Sequence, residues 1–438
     1  MLESMERLDA TDFRMKGKVR FPASTIAVIT LCAMIAGAGG YRDFERFGNE
    51  KVNWLRTFLD LPNGIPSHDS FRYFWRNLEP ARFNACFLEW VGSVSELADG
   101  DTVNIDGKVL RRALSQLGRA PCIVSAYASR ERIVIGQVKA DEKSNEITAI
   151  PDLLDQLYLA GAIVTIDAAG CQRKIVKKIT NRHADYLISL KGNQETVHEE
   201  VKELFETTFK DREKVFRSHT ETDKGHGRLV TRKCTQTGWV DWFEDLDKWA
   251  GLRSFCMIET ETTDLKTGDV THDKRYFISS LDVDPEKALK VAVGHWSIEN
   301  PLHWTLDMVF DEDHSRVRTG YAAENLAIMR HFAFDLLRLA IKYLRSMKVK
   351  ATNDLFAENS WFFRNALVRA NYEDPLKGIH RDFAPLERFF ESLILGKKNN
   401  LQNRYLLVGL TEGEKRQFAG DQEKRSEKGG QKRRSENS

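Results

Sequence analysis

The chain has 438 residues, a length typical of two or three domains, and its 42% hydrophobic and 30% charged residues are typical of a soluble globular protein. With 66 basic and 64 acidic residues the net charge is +2, which excludes a globally basic chain and confines any nucleic-acid surface to a local patch. Six widely spaced cysteines without a CxxC pair argue against a zinc site or a disulfide framework. The N-terminus lacks a signal-peptide pattern and no apolar stretch is long enough to span a bilayer, so we expect a cytoplasmic protein without membrane contact.

Residues 1–98 are predicted to form a helical N-terminal domain. An apolar run at 25–40 follows Pro22 and ends in glycines, which predicts a core helix. The segment 67–75 opens with a capping residue and continues with aromatic residues. Such a segment could be the recognition helix of a helix-turn-helix, but amphipathic helices more often pack a core, and we favour the core interpretation.

Residues 99–347 are predicted to form a mixed α/β domain, because strand-like and helix-like patterns alternate there. A helix near 150–159 is expected to open at Pro151, and Asp284 followed by Pro285 predicts another helix start. Short β-like runs between about 210 and 281 predict a β-strand insertion within this domain. The other predicted elements are strands at about 102–106, 122–128, 133–139 and 186–190, a basic helix near 172–182 and a charged helix at 195–209.

The C-terminal part is divided into a helical extension at 348–410 and a tail at 411–438. The tail holds eight Lys or Arg and six Asp or Glu residues and almost no apolar ones. Such a composition cannot bury a core, so we expect the tail to be disordered.

Three acidic residues are the strongest functional candidates. Asp106 and Asp167 each follow an apolar strand, where a lone buried carboxylate is costly unless it has a partner. Glu299 lies on a predicted helix with Asn300 and His303 on the same face. Pro301 disfavours a helical conformation at Asn300, so this helix either begins there or kinks beside the acid. Three such carboxylates could hold two Mg²⁺ ions, with Asp106 bridging both and Asp167 and Glu299 each holding one.

The same residues admit simpler interpretations. An Asp after a strand is most often a turn or helix cap, and a Glu on a helix is usually solvated. A glycosidase would use two of these acids without a metal.

Five motifs occur in order along the chain. They are DGK at 106–108, GQVKADEKSNEITAIP at 136–151, TIDAAGCQ at 165–172, LKGNQ at 190–194 and HWSIENPLHW at 295–304. Together they resemble bacterial insertion-sequence DDE transposases, in the branch of the H-repeat-associated proteins of Rhs elements, over roughly residues 15–347. The Tyr-Arg-Glu-Lys signature of related transposases is absent around Glu299.

The resemblance implies an RNase H-like catalytic core with a β-strand insertion and an N-terminal associated domain. It implies Mg²⁺-dependent cutting and rejoining of double-stranded DNA at element ends, with Mn²⁺ as a substitute ion. Asp106, Asp167 and Glu299 fall on the three acids of the family. By analogy we expect a homodimer that bridges two ends, in a bacterial cytoplasm at the nucleoid.

Candidate DNA contacts are basic or amide residues close to these acids in sequence, since Lys and Arg supply salt-dependent affinity for phosphates. For each of them alone, a solvated charge is the simpler interpretation. The candidate DNA contacts are Lys108, Arg112, Arg173, Lys174, Lys177, Lys191, Asn193, Arg228, Arg232, Asn300 and His303.

Three functions are consistent with the sequence. The first is an active transposase that cleaves strands and transfers the freed 3′-hydroxyl to target DNA. The second is a catalytically silent DNA-binding protein, a repressor or architectural factor. The third is a structure-specific nuclease of the same fold.

Overall fold

The computed structural model describes residues 1–114, 120–140, 146–208, 213–225, 227–347, 359–371, 380, 382–395 and 397–402. They form two compact units, one of residues 1–28, 72–307 and 311–335, the other of residues 29–71, 308–310 and the described residues after 335. The predicted tail at 411–438 lies outside the described residues, and the predicted domain boundaries stay predictions. No helix among the described residues is long and apolar enough to cross a membrane.

The first hundred residues are helical, as their composition predicts. In α5, Phe71, Phe74 and Trp75 are fully buried at spacings of three and four residues, so this helix presents its aromatic face to a core. That burial agrees with the core interpretation. The six helices are α1 (Leu2–Ala10), α2 (Ala23–Ile35), α3 (Tyr41–Glu50), α4 (Val52–Leu55), α5 (His68–Asn77) and α6 (Pro80–Val94).

One mixed sheet of nine strands, in the order β3-β2-β1-β4-β5-β9-β8-β7-β6, organises the larger unit. β1, β4 and β5 are parallel neighbours, and all other pairs are antiparallel. The inserted strands β6–β9 join the sheet where β9 pairs with β5, so the insertion extends the central sheet. The strands are β1 (Thr102–Val109), β2 (Cys122–Ala128), β3 (Ile133–Lys139), β4 (Ile163–Ile166), β5 (Asp185–Leu190), β6 (Phe216–Gly225), β7 (Arg228–Thr237), β8 (Ser254–Asp264) and β9 (Val270–Ser279).

One of the remaining helices, α7 (Glu146–Gln156), differs from the sequence prediction in the position of its proline. α7 begins at Glu146, so Pro151 lies in its interior, and the prediction that Pro151 opens the helix is wrong. The apolar face of α7 offsets one missing backbone hydrogen bond, because Ile150, Leu153 and Leu154 are buried. The helices are α7 (Glu146–Gln156), α8 (Arg173–Asn181), α9 (Glu195–Glu203), α10 (Pro285–Ser297), α11 (Trp304–Met308), α12 (Ala322–Ser346), α13 (Ser360–Asn371) and α14 (Ala384–Leu395).

Helix α10 begins where the sequence predicts. The side chain of Asp284 accepts a hydrogen bond from the Lys287 backbone N–H at 3.0 Å, and Pro285 follows the cap. Proline is well suited to this position because its missing N–H would have no partner within the helix.

Polar side chains fix α12 against β3. Asp335 accepts a hydrogen bond from the Val134 N–H at 2.8 Å, and the His331 ring is hydrogen-bonded to the Gln137 side chain. Because Asp335 and His331 are buried, these hydrogen bonds replace the ones that their side chains would make to water. They set the position of α12 relative to the edge of the sheet.

We expect acid to destabilise the protein through His331. The pKa of His331 is lowered to about 3, mainly by burial and in addition by His303, Arg330 and Lys108. Since the unfolded chain takes up this proton near pH 6.5, lowering the pH from 7 to 5 should cost about 2 kcal/mol of folding free energy at this residue alone. Thermal unfolding of the wild type and of His331→Leu at both pH values measures the effect. An equal acid sensitivity in the two proteins would contradict it.

Candidate active site

Asp106 and Asp167 lie side by side because their strands are parallel neighbours. Ile105 of β1 pairs with Ile166 of β4, the last pair of residues that these two strands share, and each aspartate comes next. Asp167 follows the end of β4, whereas Asp106 lies within β1, which continues to Val109 along β2. Adjacent strands are separated by about 4.8 Å. The Asp167 carboxylate also caps the following 3-10 turn by accepting from the Gly170 N–H at 3.3 Å. Asp167 can therefore be both the cap of this turn and an acid of the active site.

A hydrogen-bond network ties the strands of both aspartates to α10. Thr165 donates to the Asn104 side-chain oxygen at 2.7 Å, and its hydroxyl is 2.8 Å from His295 Nδ1. Because the single hydroxyl hydrogen is used on Asn104, the His295 ring must donate to Thr165. Asn104 also donates to the Gly294 carbonyl at 2.9 Å. Asn104 and Thr165 each precede an aspartate by two residues and share its face of the sheet.

Glu299 lies on a wider helical turn that follows α10. The π-helical segment Ile298–His303 contains Pro301, whose ring and missing N–H disfavour a regular α-helical turn. The helix therefore does not begin at Asn300; it continues past the acid in a widened form. The Glu299 side chain is exposed, and the Asn300 side chain lies outside the described part of the structure.

His303 lies beside the first aspartate, with its Nδ1 atom 3.7 Å from Asp106 Oδ2. The pKa of His303 is lowered to about 4, mainly by burial and in addition by Lys108 and His295. The ring is therefore neutral at neutral pH. Its Nε2 atom is buried without a hydrogen-bond partner among the described residues. The buried His303 ring is therefore better placed to support Asp106 than to contact a phosphate of bound DNA.

Negative charge is concentrated around Asp106. The pKa of Asp106 is raised to about 7, mainly by burial and in addition by the Glu146, Asp167 and Glu299 carboxylates, against a lowering effect of the Gly107 N–H. Asp167 and Glu299 thus each lie within electrostatic range of Asp106. Within the described ranges, no group of three or more His, Cys, Asp or Glu side chains is arranged to hold one metal ion. The carboxylates are neighbours, but this conformation does not close them into a common ligand set.

Glu146 is a fourth carboxylate that the sequence analysis did not single out. Its carboxyl carbon lies 2.3 Å from where a Cβ atom on Gly107 would stand, so this glycine makes room for it beside Asp106. The Cys122 thiol donates to Glu146 Oε1 at 3.6 Å. Burial raises the pKa of Glu146, the Cys122 thiol lowers it and Asp167 raises it. The motif at 136–151 contains this residue, but nothing local in that motif indicates its distant neighbours.

Lys108 occupies a buried ion cluster. Its ammonium lies 2.6 Å from Asp307, 3.2 Å from Asp313 and 3.6 Å from Glu312, and only 9% of the side chain is exposed. Burial lowers the pKa of Lys108, but the carboxylates of Glu312, Asp307 and Asp313 raise it above its ordinary value. Arg330 adds a second cation 3.5 Å from Glu312. Lys108 is therefore absent from the DNA-contacting set proposed below, because its charge is already balanced inside the protein.

The other candidate DNA contacts near the acids are exposed, with different degrees of pairing. Arg173 pairs with Asp245, whereas Lys174, Lys177 and Lys191 extend from the surface. Asn193 donates to the Ala168 carbonyl at 2.6 Å and so braces the turn directly after Asp167.

Arg228 and Arg232 lie away from this group, on the inserted strand β7. Arg228 pairs in register with Gly225 of β6 and Asp264 of β8, at the end of the hairpin opposite the β5–β9 junction. Arg112 lies on the turn after β1 and is exposed. The structure thus brings Asp106, Asp167 and His303 together, places Glu299 within electrostatic range of Asp106, and leaves the β7 arginines apart from them.

Two family matches cover most of the chain. Residues 118–336 match the family described as Transposase DDE domain, and residues 5–91 match the family described as DDE_Tnp_1-associated. Together with the large mixed sheet flanked by helices, the first match confirms the predicted RNase H-like α/β class.

Similar proteins carry transposase names. "Putative transposase YncI" of Escherichia coli O157:H7 is 38% identical over 333 residues, 75% of this chain and 85% of that protein. "H repeat-associated putative transposase YhhI" of E. coli strain K12 is 37% identical over 333 residues, 74% of this chain and 87% of that protein. A cryo-EM structure of a piggyBac transposase synaptic complex with hairpin DNA overlaps 77% of this chain and 78% of that chain, at 10% identity and a TM-score of 0.33, too distant to support an inference. From the two family matches and the shared length of these relatives, the chain belongs to the DDE transposases, with the H-repeat-associated proteins among its relatives.

Proposed function

We propose that the protein catalyses Mg²⁺-dependent DNA strand cleavage and strand transfer at the ends of an insertion sequence. The observation that carries this proposal is the adjacency of Asp106 and Asp167, which directly follow the last pair of residues shared by the parallel strands β1 and β4. The helix that leads to Glu299 is hydrogen-bonded to the same two strands, through Gly294 and His295.

The residues fit a hard divalent cation. Asp106, Asp167 and Glu299 would hold the metal, because they offer carboxylate oxygens and because the charged groups that raise the pKa of Asp106 are all acids. A buried excess of negative charge is costly, and a bound cation offsets that cost. Divalent ions bound there supply Lewis-acid activation of the attacking oxygen and of the leaving 3′-oxygen.

Other residues of the chain position the two aspartates. The hydrogen bond from Gly170 fixes the rotamer of Asp167, and His303 packs beside Asp106 as a neutral ring.

The proposed reaction has two steps. In the first step a water oxygen bonds to phosphorus, the bond from phosphorus to the 3′-oxygen breaks, and the displaced oxygen leaves as a 3′-hydroxyl. That hydroxyl then attacks a phosphodiester of target DNA and displaces its 3′-oxygen, so no bond between protein and DNA forms.

A catalytically silent DNA-binding protein is the second candidate. It is favoured by the lack of a closed three-ligand metal group among the described residues. A relative named "Inactive transposase YbfQ" in E. coli strain K12 is 42% identical over 67 residues, 15% of this chain and 80% of that protein.

The proposed partner is double-stranded DNA, both at the element ends and at the target, bound by a homodimer. Positive and amide side chains would contact phosphates with a salt-dependent affinity. The proposed contacts are Arg112, Arg173, Lys174, Lys177, Lys191, Asn193, Arg228, Arg232 and Asn300.

The test is a cleavage assay on duplexes that carry the inverted repeats flanking the reading frame, with scrambled duplexes as controls. We expect nicks at the repeat boundary with Mg²⁺ or Mn²⁺ and none with EDTA, because hard carboxylate ligands require a hard ion. Binding of the repeats without cleavage under either ion would favour the silent protein. Cleavage of branched DNA without regard to sequence would favour the structure-specific nuclease.

A further inference from the structure

Four arginines converge on one cleft beyond the end of β1. The cleft has a volume of about 420 Å³, and every charged residue in the described part of its lining is cationic. None of them belongs to the acidic site. The lining residues are Arg111, Arg112, Leu114, Arg316 and Arg318.

The turn after β1 is held so that its two arginines face outward. Leu110 and Ala113 are buried and cluster with Ile123 and Ala327. The Leu110 N–H donates to the Pro121 carbonyl at 2.9 Å, and the Ala113 N–H donates to the Leu110 carbonyl at 3.0 Å. With an apolar anchor on either side, the intervening residues 111 and 112 are left on the surface.

The opposite wall is an extended segment with alternating exposure. Ser315 and Val317 are half-buried, whereas Arg316 and Arg318 are exposed, as expected for an extended chain with one face against the protein. The buried Glu312 anchors the start of this segment. At its end the Tyr321 N–H donates to the Arg76 carbonyl at 3.0 Å.

The positive charge of the cleft is only partly balanced. Arg111 Nε lies 3.5 Å from Asp313, and 78% of the Arg111 side chain is exposed. Asp313 also pairs with Lys108, so one carboxylate serves two cations. Among the described residues, no carboxylate lies within ion-pair distance of Arg112, Arg316 or Arg318. Four like charges repel one another, and an anion in the cleft would relieve that repulsion.

We propose that this cleft binds the phosphodiester backbone of DNA next to the cleavage site. Guanidinium groups present planar forks of N–H donors that match phosphate oxygens in pairs. Arg111 follows Asp106 by five residues, which places its Cα at most about 18 Å from that of Asp106. At 3.4 Å per base pair, this limit on the separation of the two Cα atoms corresponds to about five base pairs of duplex. The inference rests on the proposed function in taking DNA as the bound polymer.

The experiment measures the affinity for duplex DNA against NaCl concentration, in EDTA so that cleavage plays no part. For Arg316→Ala/Arg318→Ala we expect the slope of log affinity against log salt to fall by roughly 1.8, since each lost phosphate contact removes about 0.9. Arg316→Lys/Arg318→Lys should keep the slope and bind more weakly, because lysine lacks the fork of donors.

The matched control is Arg253→Ala/Arg275→Ala, which removes two exposed arginines paired with Asp282 and Asp273. An Arg316→Ala/Arg318→Ala slope equal to that of this control would overturn the proposal. Inorganic phosphate at constant ionic strength serves as a probe for a small-anion site. If phosphate binding requires these arginines while DNA binding does not, the proposal of a DNA backbone is also overturned.

The outcome is separable from that of the proposed function. If the wild type never cleaves but the slope falls as expected, the cleft assignment stands and the catalytic proposal fails. If the wild type cleaves and the double alanine variant binds with the wild-type slope, the cleft assignment fails alone. Thermal unfolding of each variant confirms that it is folded.

Discussion

Replacing Asp167 by Asn is expected to reduce DNA cleavage by about 10²- to 10³-fold, the scale seen when one preorganised electrostatic group is removed from an active site. The amide removes the negative charge beside Asp106 and one ligand for a hard cation. It preserves the shape of the side chain and an oxygen that can accept the hydrogen bond from Gly170. Cleavage and metal-free DNA binding are measured in parallel on the same duplex.

The control for this prediction is Asp282→Asn. The Asp282 side chain is 88% exposed, and its ion pair is with Arg253 at 3.4 Å. We expect this variant to cleave and unfold like the wild type. If Asp167→Asn cleaved at the wild-type rate, the assignment of the acidic site would be wrong.

Replacing Lys108 by Met is expected to destabilise the protein by about 3–5 kcal/mol, because it removes one partner of a buried ion cluster. Asp307, Glu312 and Asp313 would then face one another with less positive charge to balance them. Thermal and urea unfolding measure the loss. Adding Glu312→Gln to this variant should restore part of the stability, since the two effects are coupled.

The control for Lys108 is Lys290→Met on the exposed face of α10, which should change stability by less than about 0.5 kcal/mol. The same experiment distinguishes the two interpretations of Lys108. A phosphate contact would lower DNA affinity and the salt slope while leaving the unfolding transition in place. That result would contradict the structural role assigned here.

The sequence predicts the strands and two of the acids well, for local reasons. β-branched runs before Asp106 and Asp167 indicate two strands, and parallel pairing then brings the two aspartates together. β1 extends past its predicted end at about 106, to Val109, because residues 106–109 pair with β2. The cap at Asp284 is equally local, because it depends on residues three positions apart.

The rest depends on contacts that no local pattern encodes. Lys108 meets Asp307 and Asp313 across 199 and 205 residues, so its sequence neighbours misleadingly suggest a surface charge. The pairing of Arg173 with Asp245 spans 72 residues in the same way. Pro151 lies inside a helix because burial of that helix outweighs the local preference of proline for a first turn.

The bonds from Asn104 and Thr165 to Gly294 and His295 lock two strands and the end of α10 into one rigid frame. Glu299 lies outside that frame, on the six-residue π-helical segment that follows α10. Any rearrangement that draws this carboxylate toward the aspartates is therefore confined to a short pivot. Assembly of the catalytic centre would then require re-winding of one turn, with no closure of separate lobes.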